Sequence, residues 1–207
     1  MKTKERILIV SLDLFNELGE PNVTTVDISN EMDISPGNLY YHYRNKDEIV
    51  EHIVHRYEHE LLTLLNAEND LNNFVEYWLF LKFYLEKNWQ YRFIFRDMNN
   101  LFSKYRPIHR KMNRLIQSSE KTILKMIQKI VSSSEHQEPK NSEAFVTALS
   151  TNVMNTLMNL PYFLSNRHEH LSGEELVTHT GYQAFIQLIH YFNPDEQKML
   201  EELAVHY

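Results

Sequence analysis

Apolar residues in this chain return every three or four positions and almost never every second one. Ile7, Leu8, Leu12, Leu14, Phe15 and Leu18 mark one face of a first helix over Lys4 to Leu18, and Gly19 supplies a residue able to end it. A chain patterned in this way buries helix stripes and cannot offer the alternating faces of a half-buried strand. Only four glycines and six prolines interrupt 207 residues, few for the many tight turns a sheet protein needs. The expected fold class is all-α, with about nine helices at the usual helix lengths.

The same reading continues along the chain. Thr24 and Thr25 offer capping oxygens to a short helix ending near Met32, with Val26, Ile28 and Met32 as its inward face. Asp33-Ile34-Ser35 makes a tight turn, and Pro36 follows Ser35 as the first residue of a third helix running to about Tyr41. Asn45 then caps a long helix from Asp47 towards Leu65. After the polar stretch Asn66 to Asn72 come eleven aromatic residues between Phe74 and Phe102, a density that requires burial. Further helices are expected from Pro107 to Val131, Glu143 to Leu164 and Gly173 to Tyr191. Ser132 to Ser142 and Ser165 to Ser172 are their polar connections, and Pro194 opens an acidic tail.

Several function classes fall away on composition. Without cysteine there are no disulfides, thiolate metal sites or cysteine nucleophiles. No run approaches the roughly 18 apolar residues of a membrane span, so no membrane partner is expected. The charged start Met1-Lys2-Thr3-Lys4-Glu5-Arg6 lacks a secretory pattern, which makes the cytoplasm the expected location. A net charge of −7 argues against indiscriminate binding to nucleic acid. No Gly-rich phosphate loop, nucleophile elbow or calcium loop appears, so no cofactor and no enzymatic activity are expected.

Two short helices joined by a three- or four-residue turn form the helix-turn-helix plan, whose second helix offers its N-terminal residues to the major groove. The run Thr24-Thr25-Val26-Asp27-Ile28-Ser29, continued by Ile34-Ser35-Pro36-Gly37-Asn38-Leu39-Tyr40-Tyr41-His42-Tyr43-Arg44-Asn45-Lys46-Asp47, resembles the signature of the TetR family of transcriptional regulators. The resemblance is strong over residues 3 to 50. It departs at Ser29, where alanine is usual, at Tyr43, where phenylalanine is usual, and at Asp33, where glycine usually makes the turn.

The resemblance implies a bacterial repressor that binds a palindromic operator in double-stranded DNA as a homodimer and is released by a small-molecule effector. On this reading residues 1–47 form the DNA-binding domain and 48–207 a helical ligand-binding and dimerisation domain, with helix 47–65 linking the two. Ser35, Pro36 and Gly37 allow close backbone approach, and Asn38 has the donor and acceptor to pair with an adenine edge. Tyr40 and Tyr41 suit thymine methyls or phosphates, while Thr24, Thr25, His42 and Lys46 suit phosphates. Residues 1 to 47 hold five cations, Lys2, Lys4, Arg6, Arg44 and Lys46, against eight acids, so the grip must rest on a few placed charges.

The family plan also places dimerisation on the helices near 143–164 and 173–191. An effector pocket is expected to draw on Trp78, Tyr84, Phe95, Met98, Phe102 and Tyr162, with Arg92, Arg96 or Asn99 holding a polar end. That lining favours an apolar or aromatic molecule. Two other readings compete. His55-Arg56-Tyr57-Glu58-His59 matches the H-x-x-E-H pattern of a zinc hydrolase, with His52 nearby. Eleven histidines in one chain make a chance match unsurprising, and no metal is expected. The other is a protein-binding adaptor whose acidic head has lost its hold on DNA. Finally, Lys104 to Lys129 carries eight Lys or Arg against Glu120 alone, either a solvated helix face or a surface for an acidic partner.

Overall fold

The computed structural model describes residues 2–134, 142–167 and 170–204, and no strand occurs among them. Eleven α-helices follow one another: α1 (Thr3–Leu18), α2 (Thr25–Glu31), α3 (Pro36–His42), α4 (Lys46–Leu65), α5 (Phe74–Gln90), α6 (Phe93–Arg96), α7 (Met98–Lys104), α8 (Arg106–Ser133), α9 (Glu143–Arg167), α10 (Gly173–Phe185) and α11 (Pro194–Ala204). They pack into two compact units, one of Met1–Glu60 with Gln90–Asn113, the other of Leu61–Trp89 with Arg114–Tyr207. This grouping differs from the division at residue 47. Helices α6 and α7 join the N-terminal helices, and α4 and α8 each run from one unit into the other.

In the first unit α1 ends where Gly19 turns to φ 85°, a conformation that glycine adopts without steric cost. Phe15 packs against Phe93 with ring centroids 5.4 Å apart. Beside them the Asn16 side chain donates to the Gln90 carbonyl at 2.8 Å and accepts from the Phe93 amide at 3.0 Å. One asparagine on α1 thereby satisfies backbone groups at the end of α5 and the start of α6, which is what buried polar groups require. Tyr57 on α4 completes the core, with Tyr91 at 5.1 Å and Phe95 at 5.9 Å.

The second unit is built around Phe74, Phe185 and Phe192, whose rings lie 5.0 to 5.5 Å apart. Trp78 meets Phe185 edge-on at 5.5 Å, and Trp89 stacks on Tyr162 at 6.3 Å. Gly173 and Gly181 of α10 lie against these two indoles, and a Cβ at Gly173 would overlap Trp89. Glu68 is buried and takes the Lys125 ammonium at 3.2 Å and the Thr122 hydroxyl at 3.4 Å.

The aromatic stretch spans three helices, because the chain turns at Tyr91-Arg92 and Asp97 leaves helical geometry at φ −139°, ψ 56° to cap α7 through Asn100 N. Three expectations need correction. The helix expected over Gly173 to Tyr191 is α-helical only to Phe185 and tightens to 3-10 over Ile186–Tyr191. There the Gln187 amide donates to the Gln183 carbonyl at 3.0 Å, competing for an oxygen that α-helical bonding would use. The acidic tail is itself a helix, α11, opened by Asn193, whose side chain accepts from the amides of Asp195 and Glu196. Of the polar connection from Ser132 to Ser142, residues 132–133 finish α8, and most of the rest lies outside the described residues.

Candidate nucleic-acid interface

Helices α2 and α3 are held in register by three local devices. Thr24 and Asp27 form a reciprocal capping box, the Thr24 hydroxyl and amide both donating to the Asp27 carboxylate at 2.6 and 2.7 Å. These bonds from Thr24 hold the Asp27 carboxyl below the usual aspartate range. The turn between the helices passes through Asp33 at φ 55°, the left-handed region that aspartate tolerates better than most residues. Ser35 then caps α3, accepting from Asn38 N at 3.2 Å, with Pro36 at the first helical position.

Helix α3 has one buried contact residue, Leu39, and Tyr43 closes it from below. Of the other expected site residues on the helix and at its Ser35 cap, His42 is half-buried and the rest are exposed. Ser35, Pro36, Gly37 and Asn38 are exposed, Tyr40 is 49% exposed and Tyr41 85%. An aromatic ring left almost wholly in water is unusual on a surface that binds nothing. Tyr40 is fixed in direction because its hydroxyl lies 2.9 Å from Thr25 Oγ1 on α2, and His42 packs edge-on against Tyr41 at 5.1 Å. Val26, expected to face inward, is 48% exposed.

Tyr43 anchors the back of the helix. Its hydroxyl donates to the Lys4 carbonyl at 3.3 Å, and the Lys4 ammonium lies 5.1 Å from the ring centroid. Burial, helped by the charges of Glu5 and Glu48, pushes its pKa up to about 12, so it stays a neutral donor.

Lys46 departs from its expected role at phosphate. Its ammonium donates to the carbonyls of Glu20 and Val23 at 2.9 and 2.8 Å and pairs with the Glu20 carboxylate at 3.0 Å, which occupies all three of its donors. Glu20 is buried and also meets Lys104 at 2.9 Å and accepts from the Tyr105 hydroxyl at 2.9 Å. Burial alone would raise its pKa; the hydrogen bonds from Lys104, Lys46 and Tyr105 outweigh burial and hold it below the usual glutamate range. The Tyr105 hydroxyl is also 2.9 Å from the Asp47 carboxylate. This polar cluster joins the end of α1, the start of α4 and the corner between α7 and α8 inside one unit. Sequence reasoning passed over Glu20 and Tyr105 because their partners lie far away along the chain. Arg44, absent from the expected phosphate contacts, is exposed at the exit of α3.

The nine residues expected to line a pocket do not share a unit. Trp78, Tyr84 and Tyr162 belong to the second; Arg92, Phe95, Arg96, Met98, Asn99 and Phe102 belong to the first. Tyr84 and Phe95 are buried as core, the Tyr84 hydroxyl resting 3.6 Å from Met158 Sδ, and Arg96 donates to the Glu17 carbonyl at 3.2 Å. Eight of the nine lie on helices and Arg92 lies in the turn before α6; their spacing along the chain carries no information about which unit each segment joins.

The zinc pattern gains nothing from the structure. Glu58 is held by Lys111 at 2.8 Å, His52 packs on Tyr43 at 5.4 Å, and among the described residues no group of three His, Asp or Glu is arranged to hold a metal. No helix among the described residues is long and apolar enough to cross a membrane.

A capped helix-turn-helix that leaves the outer face of its second helix in water defines a DNA-reading protein of the helix-turn-helix class. Residues 7–53 match the family described as bacterial regulatory proteins, tetR family, and residues 56–199 match the TetR family of bacterial transcriptional repressors. The chain belongs to the TetR family of transcriptional regulators. A TetR-family regulator from Marinobacter aquaeolei VT8 is 30% identical, with 100% of this chain and 98% of that one covered at a TM-score of 0.83. A TetR/AcrR-family regulator from Aquifex aeolicus VF5 shares the fold at 20% identity, 89% and 99% coverage and a TM-score of 0.60. Over 90 residues the chain is 31% identical to IcaR, the negative transcriptional regulator of the biofilm operon icaADBC in Staphylococcus epidermidis. That stretch is 42% of this chain and 49% of IcaR, so the chain spans about half the length of this curated relative.

Proposed function

We propose that this regulator is a cytoplasmic repressor that reads a palindromic operator as a homodimer and is released by a small apolar or aromatic effector. The observation that carries the DNA-reading assignment is the outer face of α3, where Asn38, Tyr40 and Tyr41 stand in water while Leu39 is buried. Asn38 pairs with an adenine edge, Tyr40 and Tyr41 meet thymine methyls or the backbone, and Ser35, Pro36 and Gly37 let the helix start approach closely. Thr24, Thr25 and His42 remain candidates for phosphate, with Arg44 replacing Lys46.

The dimer forms through α9 and α10. Each helix buries one side in its own unit, including Val146, Val153 and Leu157 of α9 and Ala184 of α10. The partner therefore meets the other side, where Phe145 and Phe163 are exposed. A two-fold axis sets the two α3 helices about 34 to 36 Å apart, the spacing of successive major-groove half-sites. The effector acts by binding more tightly to a conformation that does not fit the operator, since a ligand without such preference shifts nothing. Helix α4 runs through both units and is the natural lever.

The test is selection of random duplex DNA on the purified protein, repeated with Asn38→Ala and Tyr41→Ala. A palindrome enriched by wild type and lost in the variants supports the reading. A dimer that enriches no motif overturns it in favour of the adaptor.

A further inference from the structure

We propose that the corner between α7 and α8 carries a second DNA-binding surface, in which Arg106 and Arg110 grip the phosphate backbone beside the operator half-site. The proposal rests on the DNA-reading assignment and extends it beyond the helix-turn-helix. It begins from a shortage of cations. Duplex DNA presents a phosphate charge about every 1.7 Å, and affinity is supplied largely by neutralising them. Yet Lys46 is committed to Glu20, and Lys4 lies over Tyr43.

Elsewhere in the same unit Lys104, Lys111 and Arg56 are paired with Glu20, Glu58 and Glu60. Among the described residues of this unit, the cationic side chains without a partner are Lys2, Arg6, Arg44, Arg106 and Arg110. The last two sit one helical turn apart on α8, so they share a face. Both are exposed and line an open hollow of about 700 Å³ together with Asn99, Phe102, Ser103 and His109. Among the described residues no acid lines that hollow, and His109 stacks on Phe102 at 4.9 Å, which stiffens its floor.

Position favours DNA over a free anion. Tyr105 precedes Arg106 and its hydroxyl lies 2.9 Å from Asp47, in the first turn of α4, three residues past the exposed Arg44. Lys104, on the other side of Tyr105, is bound to Glu20 in the segment that leads into α2. The arginine pair is thus tied from both sides to the segments that enter and leave the helix-turn-helix. Such contacts position a protein and carry no sequence information.

The experiment measures binding by fluorescence anisotropy across a salt series, using the duplex that wild type selects in two lengths, the minimal palindrome and the same palindrome with about six further base pairs on each side. Arg106→Gln/Arg110→Gln is compared with Arg106→Lys/Arg110→Lys, and thermal melts check that both fold. The expected result is weaker binding of the long duplex by the glutamine variant, with the log–log salt slope smaller by about 0.9 for each arginine–phosphate contact removed. The minimal duplex is little affected, base preference is unchanged and the lysine variant keeps the wild-type slope. An unchanged slope on the long duplex overturns the proposal while leaving operator reading intact, and so does a defect seen only in saturable binding of inorganic phosphate. If wild type selects no motif, a random duplex at low salt is used instead. A reduced slope there keeps this surface while the operator reading falls, and no difference removes both.

Discussion

Lys46 turns its ammonium inward onto Glu20, 3.0 Å from a carboxylate that is 4% exposed. A cation at the end of a reading helix is ordinarily counted as a phosphate contact; here it is a structural pin. Removing one partner of a buried ion pair leaves the other uncompensated, at a cost on the order of 3 kcal/mol. Glu20→Ala is expected to destabilise by about that amount in urea unfolding, through the first unit.

The pairing also fixes a pH dependence. The folded pKa of Glu20 lies below the ordinary value of 4.5, so its stabilisation is complete above that value and is lost as pH falls through the lower folded pKa. The stability gap between wild type and Glu20→Gln is expected to be widest near neutral pH and to close in acid. A gap that stays constant down to about pH 3 would contradict the assignment.

Asn38→Ala and Tyr41→Ala remove exposed side chains: the bond from Asn38 to the Ser35 cap comes from its backbone amide, and the ring contact of Tyr41 is with the neighbouring His42. Both variants should melt within about 0.5 kcal/mol of wild type. Operator affinity should fall by about 1–3 kcal/mol for Asn38→Ala, roughly tenfold or more, with preference relaxed at one position of each half-site.

Asp33 supports the helix-turn-helix from the least comfortable backbone position in it, φ 55°. Asp33→Gly is expected to be tolerated within about 0.5 kcal/mol, because strain relieved and chain entropy added nearly offset each other. A β-branched residue gains neither. Asp33→Val should cost about 1–2 kcal/mol and weaken DNA binding in parallel.

In the second unit Gly173 has no room for a side chain because the Trp89 indole, stacked on Tyr162, lies where a Cβ would go. Gly173→Ala should destabilise by about 1–3 kcal/mol. In a Trp89→Leu background the same substitution should cost much less, and a double-mutant cycle reads the difference. Equal penalties in both backgrounds would mean that the overlap is not the cause.

What could be read from sequence follows the range of the interactions. The caps at Thr24, Ser35 and Asn45 act within three residues, and the turn at Asp33 within five, so α2 and α3 are legible almost to their ends; the equally local cap at Ser172 is read only as part of a polar connection. The exposed ring of Tyr41 was legible too, because only one face of so short a helix can be buried. Glu20 with Tyr105, and Asn16 with Phe93, are pairings across more than seventy residues. Nothing local announces them, and with them went the placement of α6 and α7 and the inward turn of Lys46. The 3-10 end of the helix expected over Gly173 to Tyr191 is also not legible: Gln187 is a good helix former in an apolar run, yet its side chain bonds the Gln183 carbonyl where α10 tightens.

Because Phe93, Tyr91 and Tyr105 come from residues 90–113 to complete the packing around Phe15, Tyr57 and Glu20, the DNA-reading part of this molecule is not a detachable N-terminal cassette. A hybrid that exchanges residues 1–60 for those of a relative would import one half of a core and orphan the other. Specificity in this chain can be transplanted only as two cuttings taken together, and a graft of the first alone should yield an insoluble protein rather than a retargeted one.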